Sequence, residues 1–88
     1  MVYMISYDLH APTNNRDKVM ENIESLGVWC KYLTTTYLVK TDYSTTSVIS
    51  ICTRDLDPND KMIIAPVSEM VNGWLTGDQW KWIRENLF

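Results

Sequence analysis

The sequence predicts a small α+β domain with the element order β-α-β-β-α-β, followed by a C-terminal helical tail. Three observations lead to this prediction. The chain begins with β-forming side chains, two later stretches repeat apolar residues at helical spacing, and a second β-rich region is too long for a single strand. With 88 residues, of which 45% are hydrophobic and 22% charged, the chain has ordinary globular composition and room for one domain.

The first strand and the first helix follow from their residue patterns. Residues 2–9 are apolar on both faces over their first half, which is typical of a central strand covered on both sides. Pro12 and Asn14 then mark the start of a helix, with Asn14 as its N-cap. Gly27 stands where a C-terminal helix cap is expected. The apolar residues between these signals recur at helical spacing: Val19, Ile23 and Leu26.

The middle of the chain predicts a hairpin and a second helix. Residues 28–41 are loaded with aromatic and β-branched types, and a break from Leu33 to Thr35 would divide them into two strands. The Asn-Gly signal of a tight hairpin turn is missing there. Ser44 then offers an N-cap for the second helix. Its apolar positions repeat at intervals of three and four residues: Val48, Ile51, Cys52 and Leu56.

The last strand completes the domain, which we expect to span residues 1–68. After the turn at residues 57–60, the segment from Lys61 to Ser68 is β-forming, and Pro66 removes a backbone donor and so favours an edge position. Two right-handed crossovers build this order into a ferredoxin-like sandwich. It has a four-stranded antiparallel sheet in the order 4-1-3-2, with two helices on one face. The other face needs a cover, either the tail or a second subunit, and a homodimer is the economical answer.

The tail, residues 69–88, has the pattern of a short amphipathic helix. Thr76 and Gln79 have the spacing of a capping box. The helical stripe that follows is aromatic and aliphatic, with further aromatic residues beside it: Trp80, Ile83 and Leu87, then Trp82 and Phe88. The helix either packs on its own domain or serves as an interface.

Charge and composition exclude several classes of protein. The formal net charge of -3 leaves no basic surplus for sequence-independent binding to phosphate backbones. No basic segment with an apolar core opens the chain, and no run is long enough to span a membrane, so we expect a soluble, cytoplasmic protein. Cys30 and Cys52 lack the spacing of a zinc site. Free thiols are expected, and a disulfide between them stays open.

Asp8, at the end of the first strand, is the best candidate for chemistry. A carboxylate beside a helix N-terminus can hold Mg2+ or Mn2+ against a phosphate, and Arg16 in the first helical turn could bind that phosphate. A lone aspartate is a poor metal site, but two Asp8 carboxylates near a two-fold axis could share one cation. The alternative is that Asp8 only ends the strand and hydrogen-bonds the loop, with His10 as an ordinary loop histidine.

The chain resembles the small CRISPR-associated Cas-two proteins and their VapD-type and SinR-family relatives, over residues 1–68. The resemblance is carried by short motifs in their order along the chain: Ile5-Ser6-Tyr7-Asp8, Arg16, Val19, Leu26-Gly27, Thr34 to Leu38, and Lys61 to Val67. It implies a ferredoxin-like homodimer with Asp8 as the divalent-metal ligand between subunits. Arg16 and Thr36 would fall where relatives carry a helix arginine and a strand hydroxyl, so the implied catalytic set is Asp8, Arg16 and Thr36.

Two functions follow from the resemblance. Some members cleave RNA or DNA, and others act as dimeric scaffolds in spacer integration. We therefore expect a metal-dependent endonuclease using Mg2+ or Mn2+. The alternative is a catalytically inactive module of phage or mobile-element origin that binds nucleic acid, a nucleotide or a protein, partly through its Trp-rich tail. The chain departs from the family at Thr36 to Val39, where a Ser-Val-Phe-Glu segment with its glutamate is common, and in its acidic charge.

Overall fold

The computed structural model describes residues 1–10, 15–69 and 72–88. Within these ranges it has the expected order of elements and the expected tail helix. The elements are β1 (Val2–Asp8), α1 (Arg16–Glu24), β2 (Gly27–Leu33), β3 (Thr36–Thr41), α2 (Thr45–Thr53), β4 (Lys61–Val67) and α3 (Gly77–Asn86). The β-rich stretch breaks at Thr34 and Thr35, inside the region where the sequence predicts a hairpin.

The four strands form one antiparallel sheet in the order β2-β3-β1-β4, which is 4-1-3-2 read from the opposite edge. The first strand is central and pairs with β3 and β4. The proline-bearing strand β4 lies at an edge, as the missing N–H of Pro66 predicts. Both placements agree with the residue patterns.

The first face of the sheet packs against α1 and α2. Alternate residues of a strand point to the same face, so Tyr3, Ile5 and Tyr7 of β1 all face these helices. They share one buried cluster with residues of β3, α1 and α2. The remaining members are Val19 and Ile23 of α1, Leu26 of the turn that follows it, Tyr37 and Val39 of β3, and Val48 and Cys52 of α2. The helical stripes predicted from spacing therefore form the main core.

The second face is covered in part by α3. Val2, Cys30 and Leu38 form a separate buried cluster with Ile83 and Leu87. The tail helix thus packs on its own domain, and a second subunit is not required to cover this part of the sheet. The two cysteines lie on opposite sides of the sheet, Cys52 in the first cluster and Cys30 in the second, and both are free thiols. A disulfide between them is excluded by this placement.

The start and end of α1 differ from the prediction. Pro12 and Asn14 lie outside the described residues, and Asn15 occupies the N-cap position without a side-chain capping hydrogen bond. The C-cap is Ser25, and Gly27 instead begins β2. The reason for a glycine there is the neighbouring strand, because a Cβ at Gly27 would lie 2.2 Å from the carbonyl oxygen of Lys40.

The other helix starts agree with the sequence. The hydroxyl of Ser44 accepts a hydrogen bond from the backbone N–H of Ser47 (3.2 Å), which caps α2. At α3, Thr76 and Gln79 each accept a hydrogen bond from the other's backbone N–H, which is the expected capping box. None of the helices in the described part of the chain is long and apolar enough to cross a membrane.

Candidate functional site

Asp8 ends β1 with an exposed side chain. Its partner across the β1–β4 register is Lys61. Among the described residues, the ion pairs are Arg54 with Asp55 and Lys81 with Glu85, and neither involves Asp8. The Asp8 carboxylate is therefore held by no ion pair in this part of the chain and faces solvent.

Two hydroxyl groups lie on the same face of the sheet as Asp8. Ser6 precedes Asp8 by two positions on β1, so both side chains point to the second face. Thr36 is opposite Ser6 in the β1–β3 register, and its Oγ1 donates a hydrogen bond to Ser6 Oγ at 3.1 Å. The structure thus brings Thr36 and Asp8, two of the three predicted site residues, to one end of one face.

A shallow, open groove of about 350 Å³ runs along this end of the sheet. It is lined by residues of β1, β4 and the β2–β3 turn: Ser6, Tyr7, Asp8, Thr35, Lys61, Met62 and Ile63. Lys61 and Thr35 are not among the predicted site residues, because their nearness to Asp8 depends on strand pairing. The groove combines a carboxylate, hydroxyls and an ammonium group.

Arg16 is placed differently from the other two site residues. It begins α1, which packs on the first face of the sheet, whereas Asp8 points to the second face. No hydrogen bond or ion pair joins Arg16 to Asp8 within the described ranges. Its charge acts instead on Tyr37: burial, then the hydrogen bond to Glu24 and the nearby negative charge, raise the pKa of Tyr37, and the Arg16 guanidinium opposes that rise.

An aromatic cluster surrounds Tyr37 on the first face. The Tyr37 hydroxyl donates a hydrogen bond to Glu24, and the Lys31 ammonium lies 5.5 Å from the Tyr37 ring centroid and 5.9 Å from that of Tyr7. The Tyr7 hydroxyl is buried and finds no hydrogen-bond partner in the described part of the structure. Trp29 packs edge-on against Tyr37. This cluster was not predicted, since the pairing of β1, β2 and β3 brings its residues together and no local spacing shows it.

His10 contacts the turn at residues 57–60 and does not line the groove. Its backbone N–H donates to Asp60 Oδ1 at 2.7 Å, while the Asp57 N–H donates to Asp60 Oδ2 at 2.8 Å. The hydrogen bond from Asp57, together with that from His10, lowers the pKa of Asp60 below its usual value. This contact is made by the main chain of His10 and assigns no role to its imidazole.

The described residues contain no group of three or more His, Cys, Asp or Glu side chains that could hold a metal ion. Asp8 of one chain would therefore need further ligands from water or from a second copy. Mg2+ in proteins keeps several waters and is commonly held by only one or two carboxylates. The donor set fits Mg2+ or Mn2+ if two Asp8 side chains are brought together.

A second concave region lies farther along the same face. It is an apolar cavity of about 340 Å³ between the sheet and the segment before α3. Its walls include sheet residues and tail aromatics: Met4, Cys30, Tyr32, Leu33, Thr36, Leu38, Asn72, Gly73, Trp74, Leu75 and Trp80. Trp74 at its rim is 99% exposed. The tryptophan residues of the tail favour a packed tail helix, but the cavity depends on how the tail and the sheet come together in the folded chain.

Comparison of the sequence with protein-family models and with curated proteins returns no match. The class of protein is therefore defined by the structure as a small α+β domain with a four-stranded antiparallel sheet and a C-terminal helix.

Proposed function

We propose that this protein is a ferredoxin-like, Cas-two-like homodimer that cleaves RNA or DNA with the help of Mg2+ or Mn2+ held between two Asp8 carboxylates. One observation supports the proposal above the others. Asp8, Ser6 and Thr36 lie together at the end of the second face that α3 leaves open. A polar cluster at an uncovered sheet end is where a second copy and a phosphate would both have access.

The exposure of the second face favours pairing at this end. Along β1, Val2 is 6% exposed under α3, Met4 is 37% exposed, and Asp8 is exposed. Ile63, opposite Ser6 on β4, is 72% exposed. A second copy that covers Ile63 and Met4 across a two-fold axis would remove apolar surface from water and bring the two Asp8 side chains towards each other.

The chemistry expected of the paired site is limited by the residues present. The divalent ion would neutralise phosphate charge and lower the pKa of a bound water. Lys61 would add positive charge beside the scissile phosphate, and the hydroxyls of Ser6 and Thr36 would hydrogen-bond a phosphate oxygen. Arg16 would contribute only if it reaches the groove from α1. The two free thiols fit a reducing compartment such as the cytoplasm.

Cleavage assays test the catalytic part of the proposal. Labelled RNA and DNA are incubated with the protein in Mg2+ or Mn2+. We expect Asp8→Asn to lower the rate by about 100-fold or more, the scale on which one charge-stabilising group acts. Asp42→Asn is the matched control, since Asp42 is also exposed but lies outside the groove. Equal cleavage by Asp8→Asn and the parent chain would refute the mechanism.

Native mass measurement tests the dimer. We expect the mass of two chains for the parent protein and of one chain for Ile63→Lys, because a charge at the centre of the apolar contact is costly to bury. Ile49→Lys is the control, since Ile49 is also exposed but lies on α2. A monomeric parent chain with and without metal would contradict the shared site, because one Asp8 is an inadequate ligand set.

The apolar cavity favours a second candidate function, a non-catalytic binding module that captures a partner through the tail. The supporting observation is the fully exposed Trp74 beside an apolar cavity. Removing the whole tail is not a clean test, because Ile83 and Leu87 belong to the core. Trp74→Ala changes only the exposed rim. We expect this variant to lose binding of RNA, DNA or nucleotides and to keep its thermal stability. Unchanged binding of all three would contradict the binding-module function.

A further inference from the structure

The segment Asn72-Gly73 lies at the rim of the apolar cavity and is exposed at Asn72. Of the asparagines in the sequence, only Asn72 is followed by glycine. A glycine has no Cβ to shield its own backbone nitrogen, so that nitrogen can approach a neighbouring side chain closely. The Gly73 nitrogen can therefore attack the side-chain amide of Asn72 without the help of an enzyme.

The structure places the two reacting groups side by side. The backbone N–H of Gly73 donates a hydrogen bond to Asn72 Oδ1 at 2.8 Å. The amide carbon Cγ is one bond away from Oδ1, so the nitrogen is already next to the carbon that it would attack. A side chain that folds back on its own following peptide in this way is typical of asparagine in turns.

We propose that Asn72 is a site of spontaneous deamidation. A water molecule or hydroxide takes the proton from the Gly73 nitrogen, and this nitrogen attacks Cγ of Asn72. A bond forms between the nitrogen and Cγ, the bond from Cγ to Nδ2 breaks, and ammonia leaves with the proton. Water then opens the cyclic imide at either carbonyl. The products are an aspartyl or an isoaspartyl residue at position 72.

Asn22 provides a contrast within the same chain. It is buried, its Nδ2 donates to Asp55 Oδ2 at 2.7 Å, and its Oδ1 accepts from Arg54 at 2.8 Å. The next residue, Ile23, is β-branched and fully buried. The amide of Asn22 is therefore held away from its own backbone, and we expect it to stay intact.

Deamidation would disturb the packing of the tail. A Cβ built at Gly73 would lie 3.0 Å from Trp80 Cζ2, so this part of the main chain is already close to the indole ring. The isoaspartyl product adds a methylene group to the main chain directly before Gly73. Both products also carry a new carboxylate, which stays in water because residue 72 is exposed. The isoaspartyl product, through its longer main chain, therefore displaces Trp80 and loosens the segment before α3.

Peptide mapping tests the modification. The full chain is aged at mildly alkaline pH and digested with trypsin, which cleaves after Lys and Arg and so places Asn22, Asn59 and Asn72 in three different peptides. We expect the peptide of residues 62–81 to gain the mass of an amide-to-acid change and to split into two chromatographic forms. The peptide of residues 19–31 should stay unchanged. Gln79 lies in the same peptide and could also deamidate. The Asn72→Gln variant controls for this, and its peptide should show no gain of mass.

If Asn59 deamidates and Asn72 stays intact, the proposal is overturned. The structural consequence has its own readout, acrylamide quenching of tryptophan emission in a Trp74→Phe background. Aged protein should be quenched more strongly than fresh protein and than the Asn72→Asp variant, since only the isoaspartyl product lengthens the main chain beside Trp80 and makes it accessible. Equal quenching of aged and fresh protein would refute the displacement of Trp80. Neither measurement depends on nuclease activity or on a dimer.

Discussion

Gly27 and Gly77 show how differently two glycines can be constrained. At Gly27 a Cβ would meet the Lys40 carbonyl oxygen at 2.2 Å, which is far inside van der Waals contact, whereas at Gly77 nothing lies within 4 Å. The first position is fixed by the approach of β3 to β2. Gly77 begins α3 and is open to solvent.

We therefore expect Gly27→Ala to lower the free energy of unfolding by about 2 to 3 kcal/mol, as overpacked positions do. Gly77→Ala should be neutral or stabilise the fold by up to about 1 kcal/mol, because alanine has less conformational freedom in the unfolded chain. Urea unfolding of both variants measures these differences. Equal stability of the two variants would mean that the β2–β3 contact relaxes without cost.

The two cysteines should be unreactive in the folded protein. Burial raises the pKa of Cys30 to about 11, although a backbone hydrogen bond at Leu38 lowers it, and burial raises the pKa of Cys52 to about 11. The reactive thiolate is therefore scarce at pH 8 and becomes common only as the pH approaches those values.

A maleimide at pH 8 should label neither cysteine in the native chain, and both in denaturant. An added exposed thiol, Ser50→Cys, gives the rate expected for an accessible cysteine on the same protein. Native labelling of Cys30 or Cys52 at that reference rate would contradict the burial of the two clusters.

At the scale of elements, the capping box determines where α3 begins. The Thr76 hydroxyl accepts from the Gln79 N–H at 3.2 Å, and Gln79 Oε1 accepts from the Thr76 N–H at 3.0 Å. These bonds satisfy donors that an uncapped helix start leaves free. The helix start also separates residues 72–75, which line the apolar cavity, from Ile83 and Leu87, which pack on the sheet.

Thr76→Ala should cost about 1 kcal/mol of stability, the usual effect of losing an N-cap side chain. Thr46→Ala is the control, because Thr46 is exposed within α2 and makes no capping contact. There alanine should be neutral or slightly favourable, since it is the better helix former. Thermal unfolding followed by circular dichroism compares the two, and an equal effect would show that the box contributes nothing.

At the scale of the whole molecule, the sheet separates two cores of different kinds. The first combines α1 and α2 with one sheet face, and the second combines α3 with part of the other face. Ile83 is fully buried in the second core although it belongs to the tail. The tail is therefore an integral part of the fold, while the Asp8 end of the same face stays open.

Ile83→Ala should lower the free energy of unfolding by about 3 kcal/mol, within the range for large-to-small changes in a core. Lys81→Ala, on the exposed side of α3, should change it by less than about 0.5 kcal/mol. Urea unfolding again provides the measurement. A small effect of Ile83→Ala would mean that α3 is only loosely attached to the sheet.

Much of the fold could be predicted because it depends on local signals. The helical stripes, the Ser44 and Thr76 caps and the edge strand with Pro66 all depend on neighbours within a few residues. Gly27 was misread as a helix cap, because its real constraint comes from Lys40, which is distant in sequence. Of the three predicted site residues, Asp8 and Thr36 share an end of the second face, and Arg16 lies on α1, which packs on the first face.

The sequence alone determined the elements, their order and the strand that belongs at the centre, because periodicity and capping are properties of short segments. The tertiary structure alone decided that the tail helix covers part of the other sheet face, since the tail and a second subunit would both satisfy the same apolar strand residues. It placed α3 over Val2, Cys30 and Leu38 and left Asp8 and Ile63 exposed. Strand pairing also brought Lys61 beside Asp8, which no local pattern encodes.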